Sequence, residues 1–147
     1  MGEAMIFDYT KDGAALTEQF EGCKLEAYQD QVGVWTIGYG HTEGVYSGQV
    51  ITQDEAENFV VEDVQKCVHA INRDVKVELT QDEFNALVDF SFNLGIGALE
   101  HSTLWKLVQE GDFDAAANQF VKWDRAGGKE VAGLIRRRLA EKAEFQA

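Results

Sequence analysis

Two acids in this chain stand at a spacing that invites chemistry: Glu21 and Asp30, with Thr36 a further six residues on. Glu21 follows Phe20 and directly precedes Gly22, at the expected end of a first helix. An aromatic neighbour there partly desolvates a carboxyl group and favours its protonated form, which suits a general acid. Asp30 stands in a polar turn, and Thr36 on a strand flanked by glycine. Two carboxylic acids in unlike surroundings, with a hydroxyl able to orient water, form a set suited to hydrolysis of a glycosidic bond. The residues alone leave a second reading open, a helix-end Glu and an ordinary turn Asp, because a chain with 26 acidic residues generates such pairs readily.

The elements that must position these groups are legible in part. Residues 1–10 read as an extension that docks Ile6 and Phe7 on the body. A first helix is predicted over residues 12–20, with Asp12 as its cap and Ala15, Leu16 and Phe20 facing inward. Residues 24–42 change character: Lys24 to Tyr28 alternates, Asp30 to Gly33 turns, and Val34 to Gly40 is β-branched, aromatic and glycine-spaced, which predicts a small antiparallel sheet. Capping boxes at Thr52 to Glu55 and Thr80 to Glu83 open two further helices. The first carries apolar residues at helical spacing from Ala56 to Ile71, for some twenty residues or roughly 30 Å. The second is apolar on nearly every side from Phe84 to Leu94, hence central and buried, with Leu79 and Phe84 as its hydrophobic staple and Gly95 and Gly97 at its end. Short helices are expected from Ser102 and Asp112, and Gly127-Gly128 separates them from a last helix over about 131–145.

Composition excludes several classes. At 147 residues, 45% apolar and 11% aromatic, the chain reads as one globular domain, and the absence of proline removes PPII and collagen-like readings. No apolar run approaches the roughly 18–20 residues of a membrane span, and the first residues carry no basic n-region, so no membrane anchor or secretory signal is expected. A net charge of −13 disfavours nucleic acid and anionic membrane as partners. From Lys122 to Lys142, however, seven basic residues face three acidic ones. That segment, with Arg136, Arg137 and Arg138 at its centre, either faces an anionic polymer or pairs with the body's own carboxylates. Cys23 and Cys67 are read as free thiols, and no His, Cys or acidic cluster has convincing zinc spacing, so neither a metal nor another cofactor is expected. His41 reads as a structural histidine partnered with a carboxylate. Trp35, Tyr39, Trp105 and Trp123 are candidates for sugar stacking or for core, with core favoured for Trp105 and Trp123.

The wider string is more specific. Glu21-Gly22, Tyr28, Asp30 and Trp35-Thr36-Ile37-Gly38-Tyr39-Gly40-His41-Thr42 resembles the glutamate–x8–aspartate–x5–threonine signature of the phage-type lysozymes, glycoside hydrolase family 24. Phe90-Ser91-Phe92-Asn93-Leu94-Gly95, Ser102-Thr103-Leu104 and Gly133 to Glu141 are similar to later family segments in the same order, so the resemblance spans nearly the whole chain. It implies an α+β, two-lobe lysozyme-like fold as one domain over residues 1–147: a small antiparallel β-lobe at about 22–50, and a larger helical lobe at about 70–147 completed by the helix at 12–20, joined by a long helix. It implies Glu21 as general acid and Asp30 with Thr36 as the pair that holds and activates water. Thr42, Phe92, Thr103 and Asn118 follow as sugar-contacting residues. The implied activity is that of a muramidase, an endolysin cleaving the β-1,4 bond between N-acetylmuramic acid and N-acetylglucosamine in peptidoglycan, without cofactor and as a monomer. Accumulation in the host cytoplasm and release to the cell wall in the periplasm are implied too. The rival reading, a catalytically weak lysozyme-like domain repurposed for peptidoglycan binding or regulation, has no need of Glu21, Asp30 and Thr36 together.

Overall fold

In the computed structural model, which describes residues 7–126, 129–130 and 132–147, the elements run α1 (Lys11–Glu21), β1 (Lys24–Gln29), β2 (Trp35–Gly38), α2 (Gln53–Asp63), α3 (Gln65–Asp74), α4 (Gln81–Leu94), α5 (Ile96–Glu100), α6 (Thr103–Gln109), α7 (Phe113–Ala117), a 3₁₀ turn (Phe120–Lys122), β3 (Arg125–Ala126), β4 (Lys129–Glu130) and α8 (Ala132–Phe145). Side-chain caps set most helix starts. Thr52 and Thr80 each accept from the backbone N–H three residues on, while Glu55 and Glu83 reach back to the cap N–H, so both expected capping boxes form. Ser102 and Asp112 cap α6 and α7 as expected. At α1 the cap is Thr10, whose hydroxyl accepts from the Gly13 N–H, and the expected cap Asp12 falls in the first helical turn. The inward face also differs in part from expectation: Leu16 and Thr17 are buried, Phe20 is half-buried and Ala15 is exposed. Phe7 docks in the core as predicted, while Ile6 and the Gly127-Gly128 separator lie outside the described residues.

β1 and β2 pair antiparallel with Tyr28 opposite Thr36 and Gln29 opposite Trp35, and the register shifts between Lys24 and Tyr28. A third segment lies along β1, where Ala27 N–H donates to Gln49 and Ile51 N–H to Leu25, both at 2.9 Å. Apart from a second antiparallel pair, the two-residue strands β3 and β4, the other elements are helical, so the fold is α+β with a small antiparallel sheet. The helix after Thr52 differs from expectation, being divided at Val64 into α2 and α3. Main-chain bonds still run from Val64 N–H to Val60 and from Val68 N–H to Val64, both at 3.0 Å. The Gln65 side-chain amide, however, donates to the Val61 carbonyl at 3.0 Å, and a side chain inserted into the ladder is a recognised cause of such an interruption.

The core gathers around α4. Phe84, Leu87, Val88 and Phe90 are wholly buried, with Leu79 also buried at the staple position. Phe7 stacks on Phe84 with ring centroids 5.1 Å apart, and Phe120 and Trp123 meet Phe90 edge-on at 5.7 and 5.6 Å. Trp105 is buried too, in keeping with a core role. Gly95, at φ +105°, ends α4 where a side chain would be strained, whereas Gly97 falls inside α5 instead of terminating a helix. Removing the Phe90 ring should cost about 3–5 kcal/mol. Thr80→Ala, which only opens a capping box, should cost about 1 kcal/mol. Urea unfolding of both variants checks the order, and equal losses would show that α4 is not the centre of the core.

Candidate active site

Glu21 is the last residue of α1, and Gly22, at φ +66°, turns the chain away behind it. The side chain is 23% exposed, and Arg137 Nη1 of α8 donates to its Oε1 at 2.7 Å. The other carboxylate oxygen faces the loop after β2, where a methyl group at Gly40 would lie 3.5 Å from Oε2. The desolvation expected of Phe20 thus takes another form: Phe20 lies beneath the guanidinium of Arg137, 5.8 Å from it, and the immediate partner of Glu21 is a cation.

Asp30 and Thr36 share the hairpin. Asp30 begins the turn, its N–H donating to Val34 at 2.9 Å. Its Oδ1 accepts from the N–H groups of Val32 and Val34, both at 2.9 Å, so the side chain holds the turn with one oxygen while the residue itself is exposed. Thr36 is buried and its hydroxyl donates to the Val34 carbonyl at 3.0 Å. Since Asp30 pairs with Val34 and Tyr28 with Thr36, Asp30 and Thr36 are diagonal neighbours on one face of the hairpin.

Beside Gly40 opens a cavity of about 300 Å³ lined by Gly40, Thr42, Glu43, Glu62, Asp63, Lys66 and Phe92. Two expected sugar-contacting residues, Thr42 and Phe92, therefore come together there from the β2 loop and from α4. Thr103, the exposed first residue of α6, and Asn118, exposed after α7, do not line that cavity. The loop carrying Gly40 and Thr42 is fastened by His41. Its backbone pairs with Ile37, its ring stacks on Phe59 at 4.0 Å, and Nδ1 lies 2.9 Å from both carboxylate oxygens of Asp63 at the end of α2. Burial pushes the Asp63 carboxyl up, with the His41 contact acting in the opposite direction. The structural role read for His41 matches this geometry. Tyr39 is likewise structural, accepting from the Gln53 amide at 2.8 Å.

The basic segment resolves toward self-pairing at its centre. Arg137 and Arg138 are buried, at 4% and 0% exposure, and only Arg136 of the triplet is exposed. Arg137 Nε and Nη2 donate to the two oxygens of buried Asp89, at 2.9 and 2.8 Å. Arg138 donates to Asn93 at 2.8 Å and to Glu141 at 3.0 Å, with its guanidinium over the Phe90 ring. Asp89, Thr17 and Glu141 are the residues that sequence reasoning missed. The available signal was Asp89 itself: a carboxylate between Val88 and Phe90, in a helix apolar on every side, has to find a buried cation. Burial opposes ionisation of Asp89, but hydrogen bonds from Glu141, Arg137 and Thr17 overcome it and hold its carboxyl low. Burial, with Asp89 alongside, pushes the Glu141 carboxyl well up.

These two shifts have opposite consequences for stability. Asp89 contributes above the ordinary carboxylate range, and that contribution is lost as pH falls through its folded value. The contribution of Glu141 is complete at low pH and is lost as pH rises through its raised value. Glu141→Gln retains a hydrogen-bond donor toward Asp89 and removes the ionisation. The alkaline side of its melting-temperature profile should therefore be flatter than wild type, with the acid side unchanged. Calorimetry across about pH 4–9 checks this, and an unaltered alkaline slope would show that Glu141 does not titrate there.

A model of the phage lysozyme family matches residues 18–141. The chain is 42% identical over 142 residues to an endolysin of Acyrthosiphon pisum secondary endosymbiont phage 1, covering 94% of this chain and 97% of that one. It is also 42% identical over 136 residues to the endolysin of Bacillus phage B103, where 90% of this chain spans about half, 52%, of the longer relative. Among solved structures, the muramidase domain of SpmX from Asticaccaulis excentricus superposes with a TM-score of 0.89 at 36% identity, over 99% of each chain. The matched stretch runs through Glu21, Asp30, Thr36 and the whole of α4, and the chain belongs to the phage lysozyme family.

Proposed function

We propose that this protein is a muramidase that hydrolyses the β-1,4 bond between N-acetylmuramic acid and N-acetylglucosamine, acting on the bacterial cell wall as a phage endolysin once released to it. The observation that carries the reading is the placement of Glu21: a carboxyl group held from one side by Arg137 and turned on the other toward Gly40, beside the cavity lined by Thr42 and Phe92. Phage lysozyme family membership supplies the substrate class.

In this reading Glu21 donates its proton to the leaving glycosidic oxygen. Asp30 keeps its Oδ1 on the turn and takes the proton of the attacking water on Oδ2. Thr36 spends its hydroxyl hydrogen on Val34, so its oxygen is left to accept from that same water and orient it. A hydroxyl in that role would be idle in direct attack by Asp30, and the pair therefore supports inversion. Thr42 and Phe92 contact sugar beside the bond that breaks, and Thr103 and Asn118 contact it further along the strand.

Glu21→Gln should retain the fold and lose activity on the order of 10²–10⁴-fold. Clearing of outer-membrane-stripped cells reads this directly, and a Gln variant of near wild-type rate would remove Glu21 from the mechanism. Proton NMR of the first product should show the α-anomer before mutarotation. Initial release of the β-anomer, or a glycosyl adduct on Asp30, would instead establish retention.

A further inference from the structure

A line of polar side chains runs from the N-terminal segment to Glu21. Main-chain groups of Phe7 are held by the Asn72 side chain, donating and accepting at 3.0 and 2.9 Å. Two residues on, the Tyr9 ring lies so close to α1 that a methyl group at Gly13 would collide with it. The Tyr9 hydroxyl shares a hydrogen bond with Thr17, and Thr17 donates to Asp89 Oδ1 at 2.6 Å. Asp89 takes the two-pronged donation of Arg137, whose remaining Nη1 reaches Glu21. Thr17, Asp89 and Arg137 are all buried, so the geometry of this line is fixed by packing as well as by hydrogen bonding.

The arrangement bears on a conflict within the mechanism. A general acid has to carry a proton when it meets the sugar, and a guanidinium nitrogen of Arg137 stands 2.7 Å from Glu21. The charged and titratable groups packed around this point are Tyr9 from the N-terminal segment, Cys67 from α3, Asp89 from α4, and Arg137, Arg138 and Glu141 from α8. Burial pushes Tyr9 and Cys67 up, and burial with Asp89 pushes Glu141 up, so these three resist becoming anions. Arg138 is engaged with Glu141 and Asn93. Asp89 is thus the anion set against Arg137, and bidentate pairing is the strongest way to offset a guanidinium.

We propose that Asp89 is a positioning residue for the hydrolytic reaction: acting through Arg137, it aims a single hydrogen bond at Glu21 and offsets the positive charge of the guanidinium beside that acid. Thr17, with Tyr9 behind it, holds Asp89 in register. The inference rests on Glu21 being the general acid, and its test has a readout that does not depend on activity.

The experiment follows the carboxyl carbon of Glu21 by NMR titration in the full chain, for wild type, Asp89→Asn and Asp89→Asn/Arg137→Met, alongside kcat/KM on purified peptidoglycan against pH. In Asp89→Asn the titration midpoint of Glu21 should fall by about one pH unit. The alkaline limb of the rate profile should move down with it while KM stays near wild type. In the double variant, where both charges leave together, the midpoint should return to the wild-type value. A merely structural Asp89 would instead lower the rate equally at all pH and leave the midpoint where it was, overturning the proposal. If the single variant fails to fold, the double variant decides alone, because it buries no unpaired charge. A wild-type midpoint there supports the coupling. An upward shift, the signature of losing only an effective cation, overturns it. Midpoints that move as expected in a protein whose wild type leaves peptidoglycan intact would support the coupling of Asp89 to Glu21 and overturn the muramidase reading alone.

Discussion

A carboxylate placed in the middle of a helix buried on every side must be neutralised where it stands, since an unpaired ion in a protein interior costs several kcal/mol even after relaxation. Asp89 is that carboxylate, and the partner it finds, Arg137, comes from 48 residues further along the chain. Because the fork of a guanidinium meets a carboxylate in one plane, the pair fixes how α8 lies against α4. Thr17, donating to the same carboxylate, fixes α1 against both. The third edge of Arg137 then has one direction left, and Glu21 occupies it. The position of the candidate acid at the end of α1 follows from the need to satisfy one charge inside α4.

The attachment of the β-hairpin end is a separate problem with a separate solution. Its sheet is too small to bury much, and several of its apolar side chains, Val32 and Val50 among them, remain exposed. Ile37 and Ile51 anchor it in the core, and His41 adds a polar clasp to Asp63 at the end of α2. The clasp decides where Gly40 and Thr42 sit, and so where the cavity opens relative to Glu21. Gly40 adopts φ +86°, a conformation in which a side chain would be strained.

Local rules carried the sequence reading where the deciding interactions are local. Thr52 with Glu55, Thr80 with Glu83, and the caps Ser102 and Asp112 act over three residues, and each helix begins where its cap stands. The alternation before Tyr28 and the β-branched run at Trp35 to Ile37 likewise mark the hairpin, and burial of α4 follows from its apolar periphery. What could not be read depends on contacts made after folding. The division at Val64 turns on where the Gln65 amide points, the start of α1 on a competition between Thr10 and Asp12, and the burial of Arg137 and Arg138 on a carboxylate distant in sequence. For the site, Glu21, Asp30 and Thr36 were singled out by spacing joined to family resemblance, and of the four residues read as sugar-contacting, Thr42 and Phe92 line one cavity while Thr103 and Asn118 do not. The cationic partner of Glu21 did not emerge, because a basic helix looks alike on paper whether it faces inward or outward.

That inward turn changes what the molecule presents to its surroundings. The densest cationic stretch of the chain spends two of its central arginines in the interior, so less of its positive charge reaches the surface than its seven basic residues suggest, in a protein of charge −13. An anionic polymer and this exterior repel one another over roughly a Debye length, about 8–10 Å at ordinary ionic strength. Dissolved cations gathered between the two surfaces, and not the protein's own arginines, must then reconcile them. The ionic medium becomes a third participant in the encounter, and recognition is left to short-range contacts such as those the cavity beside Gly40 can make.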